Sequence, residues 1–201
     1  RTMQSELFME AEAAPSIQGL SYQPEFLSCQ EELGLLDIIS SLPLHAAKYK
    51  AYVARRRVVS FGGSFDYDTN TLLPGEPLDE RLAAVRDRVA AWLGVPSQTL
   101  AHVLVAEYAP GTPLGWHRDV PDFETVAGIS LGSEAVLRFR PYAPGHPVRR
   151  EVAELKVSPR SIYKIEGAAR WDWQHSVAPV KALRWSITFR TRRLPGKAAP
   201  G

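Results

Sequence analysis

At 201 residues and 22.3 kDa, the chain is long enough for one well-buried domain and short for two. A hydrophobic content of 45% and a charged content of 23% are ordinary for a soluble globular protein, and a net charge of +2 is too small to indicate a polyanionic partner by itself. Cys29 is the only cysteine, which excludes an internal disulfide framework and fits a reducing compartment, so a cytoplasmic location is expected. No apolar run approaches the ~20 residues of a membrane helix, and no membrane partner is expected.

The two ends of the chain lack a clear pattern, and between them the sequence predicts a single domain over 18–193. Residues 1–17 show no periodicity and are expected to be partly disordered. The tail 194–201 is rich in small residues and breakers, so a flexible end is expected there.

Two amphipathic helices are predicted in the first half of the chain. Ser28 can cap one over about 29–41, and the other runs over about 78–93 between Pro77 and Gly94. Both are expected to pack on a sheet, and we assign them no chemistry. The apolar positions at helical spacing are Leu33, Leu36 and Ile39 in the first helix and Leu82, Val85, Val89 and Trp92 in the second.

Short runs rich in valine, isoleucine, leucine and aromatic residues begin near residue 100 and alternate with glycine and proline breakers. This spacing favours a β-sandwich, a barrel or a jelly roll. Because helices precede strands, the expected fold class is α+β, with the helices on one face of the β unit. The predicted strands are 101–108, 115–118, 125–131, 135–140, 150–157, 161–166, 175–178 and 184–193.

His117-Arg118-Asp119 and the distant His175 form a candidate metal site. Two imidazoles and one carboxylate can occupy one face of an iron(II) ion and leave the opposite face open for co-substrate and oxygen. Residues two apart on a strand point to the same side, so His117 and Asp119 can bind one metal together. A jelly roll would bring strands that are far apart in sequence to one mouth, as this ligand set requires.

A second constellation, Arg-Trp-Ser-Ile-Thr-Phe-Arg at 184–190, suits a dicarboxylate co-substrate. Arg184, Ser186 and Arg190 share one face of the predicted strand. A guanidinium pairs with a carboxylate through two hydrogen bonds, which lysine cannot do. The two arginine Cα atoms would lie roughly 20 Å apart on an ideal strand, so both can hold one small diacid only if the side chains lean inward or the strand bends.

Further segments carry a resemblance to a known family. These are Ala-Glu-Tyr-Ala-Pro-Gly-Thr-Pro-Leu-Gly-Trp-His-Arg-Asp at 106–119, Ile-Ser-Leu-Gly at 129–132, Glu-Gly-Ala-Ala-Arg-Trp-Asp-Trp-Gln-His at 166–175, and the 184–190 segment. In this order they resemble the AlkB family of iron(II)- and 2-oxoglutarate-dependent dioxygenases, of the bacterial type. The resemblance implies a double-stranded β-helix (jelly-roll) core over about 100–193, and a nucleotide-recognition lid over about 50–72.

The resemblance also implies roles for individual residues. The implied iron(II) ligands, and hence the catalytic residues, are His117, Asp119 and His175. Tyr108, Arg184 and Ser186 would hold the distal carboxylate of 2-oxoglutarate, and Arg190 would hold the carboxylate beside its keto group. Molecular oxygen would be the second co-substrate.

Two positions depart from the family pattern. Family members usually carry an asparagine two residues before the tyrosine of this motif, where this chain has Ala106, so a donor to 2-oxoglutarate is lost. Members that act on methylated bases often carry an acidic residue two positions after the ligand aspartate. Here that position is Pro121, with Asp122 next to it.

The implied activity is oxidative demethylation of alkylated bases in DNA or RNA, a repair reaction that releases formaldehyde, succinate and CO2. The target base must leave its stack to reach the metal, and aromatic side chains could sandwich it. Phosphate contacts are assigned to arginines 55–57, 149–150 and 192–193, although 149–150 fit an ordinary solvated surface better. The candidate substrate-binding residues are Arg57, Phe65, Tyr67, Trp116 and Asp122, of which the aromatic ones fit a core position as well.

Three functions are therefore open, in this order: a nucleic-acid demethylase, the same dioxygenase chemistry on a protein or small-molecule substrate, and a non-catalytic nucleic-acid-binding module. The modest net charge and Pro121 leave the second open, and Ala106 is the support for the third. A monomer is expected.

Overall fold

The computed structural model describes residues 14–49, 52–66, 69, 71–142 and 151–194. The strands in these ranges are β1 Leu20–Gln23, β2 His45–Tyr49, β3 Tyr52–Phe61, β4 Ser64–Asp66, β5 Thr71–Leu73, β6 Leu100–Tyr108, β7 Leu114–His117, β8 Phe123–Leu131, β9 Ala135–Pro141, β10 Ala153–Val157, β11 Ile162–Ile165, β12 Trp173–Val177 and β13 Arg184–Arg192. The α-helices are α1 Cys29–Ser40, α2 Ala83–Leu93 and α3 Gly167–Trp171, with 3₁₀ turns at Glu80–Leu82 and Ser97–Thr99. None of the helices in these ranges is long and apolar enough to cross a membrane.

Two antiparallel sheets form the core of the fold. The larger has seven strands in the order β1-β11-β8-β13-β6-β3-β2, and the smaller has four in the order β10-β9-β12-β7. Side chains from both sheets pack into one buried cluster, in which Val126 and Tyr163 of the larger sheet join Leu137 and Phe139 of the smaller. This double-stranded β-helix, with helices beside it, confirms the predicted α+β class.

Helices α1 and α2 cover the other face of the larger sheet. Their buried side chains, among them Ile39 and Val89, pack with Val103 and Ile187 in a second apolar cluster. Ser28 begins α1 with a capping box, in which its hydroxyl accepts from the Glu31 amide and the Glu31 carboxylate accepts from the Ser28 amide. The predicted helix is confirmed.

The apolar face predicted for α1 is wrong in one position. Leu33 is 60% exposed, and Leu35 is buried beside Ile39 instead. The second helix is also confirmed, although Asp79 first caps the 3₁₀ turn and α2 follows it. Gly94 ends α2 at a φ of 71°, in the left-handed region that favours glycine.

The predicted order along the chain, with helices first and strands later, is wrong. Strands β1 to β5 precede residue 100, and β3 lies next to β6 in the larger sheet, so the first part of the expected lid is a core strand. The lid's remaining described part is the β4–β5 hairpin. Ile17 is buried, next to the predicted start of the domain at residue 18. The short helix α3 was not predicted.

Candidate active site

The candidate metal ligands meet where β7 and β12 pair. His117 and His175 lie directly opposite each other across these two strands, with ring centroids 4.3 Å apart. Each Nε2 is 3.8 Å from Oδ1 of Asp119, and the three ligand atoms lie within 4.8 Å of one another. Such a set could hold one metal ion. Because β7 ends at His117, Asp119 reaches the site from the following loop and not from the shared strand face that the spacing predicted.

In both histidines the Nε2 atom faces Asp119, where it could bind a metal if it carries no proton. The His117 Nδ1 atom lies 2.8 Å from the Gly115 carbonyl oxygen, which fixes the proton on Nδ1 and leaves Nε2 free. Burial lowers the pKa of His117. Burial, together with the neighbouring His117, lowers the pKa of His175 to about 3. Metals bind the unprotonated imidazole, so the pair is competent at neutral pH.

Asp119 stays ionised although it is buried. Burial alone would raise its pKa, but the positive charge of Arg190, with a smaller contribution from Arg170, holds the pKa well below its usual range. Arg190 Nε donates to Oδ2 of Asp119 at 2.5 Å, and the other carboxylate oxygen is the one that faces the histidines.

Arg170 holds the loop that carries Asp119. Its side chain is only 2% exposed, and one terminal nitrogen donates to the carbonyl oxygens of Asp119, Val120 and Phe123 at 3.1, 2.8 and 3.0 Å. Burial lowers the pKa of this guanidinium. Sequence reasoning missed Arg170, although it lies within the 166–175 segment that carried the resemblance.

A cavity of about 460 Å³, including its open mouth, lies between the sheets next to the histidines. The predicted residues Tyr108, Arg184, Ser186 and Arg190 all line it, so the two arginines do face one space despite their separation along β13. Arg184 is 1% exposed, donates from Nε to Ser130 Oγ at 3.0 Å and lies opposite Tyr108 in the strand register.

Tyr163, which was not predicted, also lines the cavity, and so does Arg56, which the sequence analysis had assigned to phosphate contacts. Tyr163 reaches it across Gly128, where an added Cβ would lie 2.3 Å from the tyrosine Cζ. Burial raises the pKa of Tyr163 to about 12, so its hydroxyl stays protonated. A glycine at 128 is the local sequence signal that could have shown a close approach.

Of the predicted substrate-binding residues, three have described side chains, and none of these lines the cavity. Trp116 stacks under the Arg140 guanidinium, with Cζ 4.4 Å from the ring centroid. The Arg57 side chain forms an ion pair with Glu107 at 2.7 Å. Asp122 is half-buried, and its carbonyl accepts from the Arg193 amide at 2.8 Å.

For the other two predicted substrate-binding residues, the structure describes only the backbone of one and nothing of the other. Phe65 belongs to β4, where it pairs with Leu72. Tyr67 lies outside the described residues, as do Arg149 and Arg150.

The sequence is similar to a family model and to several known proteins. Residues 40–194 match the family model described as the 2OG-Fe(II) oxygenase superfamily. A mouse protein named tRNA (carboxymethyluridine(34)-5-O)-methyltransferase ALKBH8 is 28% identical over 179 residues, which are 86% of this chain and 26% of the mouse protein. An Arabidopsis thaliana protein named alkylated DNA repair protein ALKBH8 homolog is 27% identical over 183 residues, 81% of this chain and 51% of that protein.

A Bos taurus protein named alpha-ketoglutarate-dependent dioxygenase alkB homolog 7, mitochondrial, is 35% identical over 102 residues, 49% of this chain and 44% of the bovine protein. The chain thus spans about a quarter to a half of the length of these curated relatives. Among solved structures, OsALKBH1 superposes with a TM-score of 0.69 at 16% identity, covering 87% of this chain and 97% of that one. The chain belongs to the 2OG-Fe(II) oxygenase superfamily, as an AlkB-family dioxygenase that uses iron(II), 2-oxoglutarate and oxygen.

Proposed function

We propose that this dioxygenase oxidatively demethylates alkylated bases in DNA or RNA. The observation that carries the proposal is a set of arginine–aromatic stacks beside the candidate metal ligands. Arg118, between His117 and Asp119, lies with its Cζ 3.7 Å from the ring centroid of Tyr142. Arg140 lies on Trp116 in the same way. Tyr142 is 38% exposed and Trp116 is half-buried, and positive charge next to such aromatic rings suits a polyanion whose bases can stack.

In this proposal His117, Asp119 and His175 hold the iron, and Tyr108, Arg184, Ser186 and Arg190 hold 2-oxoglutarate. Iron(II) with 2-oxoglutarate and oxygen would supply the oxidising power that hydroxylates an N-methyl group, which then leaves as formaldehyde, with succinate and CO2 as co-products. The neutral histidines and ionised Asp119 keep the site ready for a divalent cation, and Leu104, Val126 and Leu137 form apolar parts of the cavity wall.

The names of the relatives support a nucleic-acid substrate without choosing between RNA and DNA. The mouse relative is named for a tRNA nucleoside and the Arabidopsis relative for alkylated DNA. Arg192 and Arg193, at the end of β13, add positive charge next to the loop that carries Asp119. We also propose a monomer that works in the cytoplasm, with the β4–β5 hairpin, the part of the 50–72 segment outside the large sheet, as its lid.

A second candidate is the same chemistry on a protein or small molecule. Pro121 favours it, because this exposed proline stands where an acidic residue would otherwise contact a methylated base. The bovine relative is also named only as a dioxygenase.

The experiment that separates these candidates is formaldehyde release from methylated single-stranded DNA, duplex DNA and tRNA, compared side by side. We expect release from at least one of them, lost in Asp119→Ala. Conversion of 2-oxoglutarate to succinate without formaldehyde from any nucleic acid would instead favour the second candidate. Binding to these oligonucleotides should also weaken as salt rises, since phosphate contacts release counterions.

A further inference from the structure

The phenol of Tyr108 lies close to two guanidinium groups in the cavity. The Cζ atoms of Arg184 and Arg56 are 4.9 and 5.7 Å from the Tyr108 ring centroid. Burial raises the pKa of this phenol, but the charges of Arg56 and Arg184, with hydrogen bonds to Arg56 and Ser186, hold its pKa below the ordinary value. This end of the cavity is therefore strongly positive.

None of the described residues that line the cavity is an aspartate or glutamate, so no carboxylate of the lining neutralises that positive charge. Arg184 donates from Nε to the neutral hydroxyl of Ser130, and the Nε of Arg56 is buried without a hydrogen-bond partner. Burying a guanidinium away from an anion is costly. The pair therefore leaves donors and positive charge available for an anion that enters the cavity.

The strand register explains why Arg56 occupies this place. Ala106 lies in β6 opposite Ser186 of β13 on one side and Val58 of β3 on the other. The alanine offers no donor to the cavity. Arg56 stands two residues before Val58 on the same face of β3, so it can reach into the space beside Tyr108. The neighbouring Arg57 points away from it, to Glu107.

We propose that Arg56 is a second anchor for the distal carboxylate of 2-oxoglutarate and replaces the donor lost at Ala106. Two guanidinium groups, the Tyr108 hydroxyl and the Ser186 hydroxyl together offer enough donors for both carboxylate oxygens. Arg190, whose Nε donates to Asp119, serves the other carboxylate of 2-oxoglutarate in the proposed function. The inference rests on the 2-oxoglutarate site of the proposed function, but not on which substrate is oxidised.

The test is calorimetric titration of the Mn(II)-loaded full chain, which measures binding without turnover. The two probes are 2-oxoglutarate and 2-oxobutanoate, which has the same keto-acid group but no second carboxylate. Arg56→Ala is expected to weaken 2-oxoglutarate binding about 10- to 100-fold, because charge-assisted hydrogen bonds are lost. It should leave 2-oxobutanoate binding unchanged. Arg57→Ala is the matched control and should retain 2-oxoglutarate affinity.

A second substitution that restores 2-oxoglutarate affinity tests the inference further. Adding Ala106→Asn to Arg56→Ala should recover about tenfold of the lost 2-oxoglutarate affinity, since an amide donor returns to the neighbouring strand. Arg56→Lys, which keeps the charge and is the fallback if the alanine variant does not fold, should show an intermediate loss.

Two outcomes would overturn the inference: unchanged 2-oxoglutarate affinity in Arg56→Ala, or an equal loss of affinity for both acids. A wild-type chain that binds no 2-oxoglutarate at all would contradict the proposed co-substrate site itself, so the two failures are distinguishable.

Discussion

Arg190 donates from Nε to Oδ2 of Asp119 at 2.5 Å, and the second carboxylate oxygen is left facing both histidines. A terminal nitrogen of Arg190 also donates to Thr188 Oγ1 at 2.8 Å, which fixes the guanidinium on its strand. Arg190 thereby determines which oxygen of Asp119 a metal would meet.

Replacing Arg190 with alanine is expected to weaken Mn(II) binding about 10- to 100-fold, because the ligand carboxylate loses the partner that orients it. Arg190→Lys keeps the charge without the planar fork and should fall in between. Calorimetric titration of the metal-free protein measures both, with Arg192→Ala as the control on the same strand. If Mn(II) binding is unchanged or tighter in Arg190→Ala, the repulsion between the Arg190 charge and the metal ion is at least as large as the benefit of orienting Asp119.

The stability of the metal-free protein should fall as the pH is lowered from about 6.5 towards 3. Burial, with smaller contributions from nearby charges, lowers the pKa of both His102 and His175 to about 3, so between these pH values the unfolded chain takes up protons that the folded chain does not. Stability is then full above the unfolded pKa and decreases as the pH falls. Urea unfolding at a series of pH values measures the slope.

His102→Gln removes one of these titrating groups and should make the slope shallower by up to one proton, with His45→Gln as control. A slope identical to that of the parent protein would show that His102 is protonated in the folded state.

Arg170→Met is expected to lower the free energy of unfolding by about 2–4 kcal/mol, because three carbonyl oxygens of the Asp119 loop lose their shared donor. Mn(II) affinity should fall as well, since Asp119 is no longer held. Urea unfolding and metal titration test the two effects. Full retention of metal affinity in a destabilised variant would show that the loop keeps its shape without Arg170.

Gly128→Ala is expected to destabilise the protein by about 1–3 kcal/mol, because the new methyl group would overlap the Tyr163 ring. Gly34→Ala, in the exposed middle of α1 where nothing lies within 4 Å, should instead stabilise it by about 0.5–1 kcal/mol. Thermal unfolding compares them. If the Gly128→Ala penalty persists in a Tyr163→Ala background, the clash is not its cause.

The strands of the second half could be predicted because their apolar runs are bounded by glycine and proline, as at the ends of β6 and β8. Strand β3 was missed because the run Arg55–Arg57 hides its pattern. Those arginines have different surroundings, since Arg56 lines the cavity and Arg57 pairs with Glu107 on a neighbouring strand. The face of α1 was misjudged at Leu33 because the sheet beneath, and not the helix itself, decides which side is buried.

The candidate ligands were predicted, and the structure brings His117, Asp119 and His175 within 4.8 Å, while their role as iron ligands stays a prediction. The place of Arg56 and Tyr163 in the cavity could not be predicted, because it depends on which strands become neighbours. Strand β3 lies beside β6, and β11 beside β8, through pairings between distant segments that local patterns do not encode.

Helix α3 leads directly into β12, which carries His175, and through Arg170 it also holds the backbone of the Asp119 loop. The two halves of the candidate metal site are therefore joined by protein contacts alone. Ordering the backbone of one residue costs about 1–2 kcal/mol of conformational entropy. For this loop the entropy is lost when the protein folds, and not when a metal ion binds. Metal ions should accordingly enter and leave a preorganised site without unfolding of the loop.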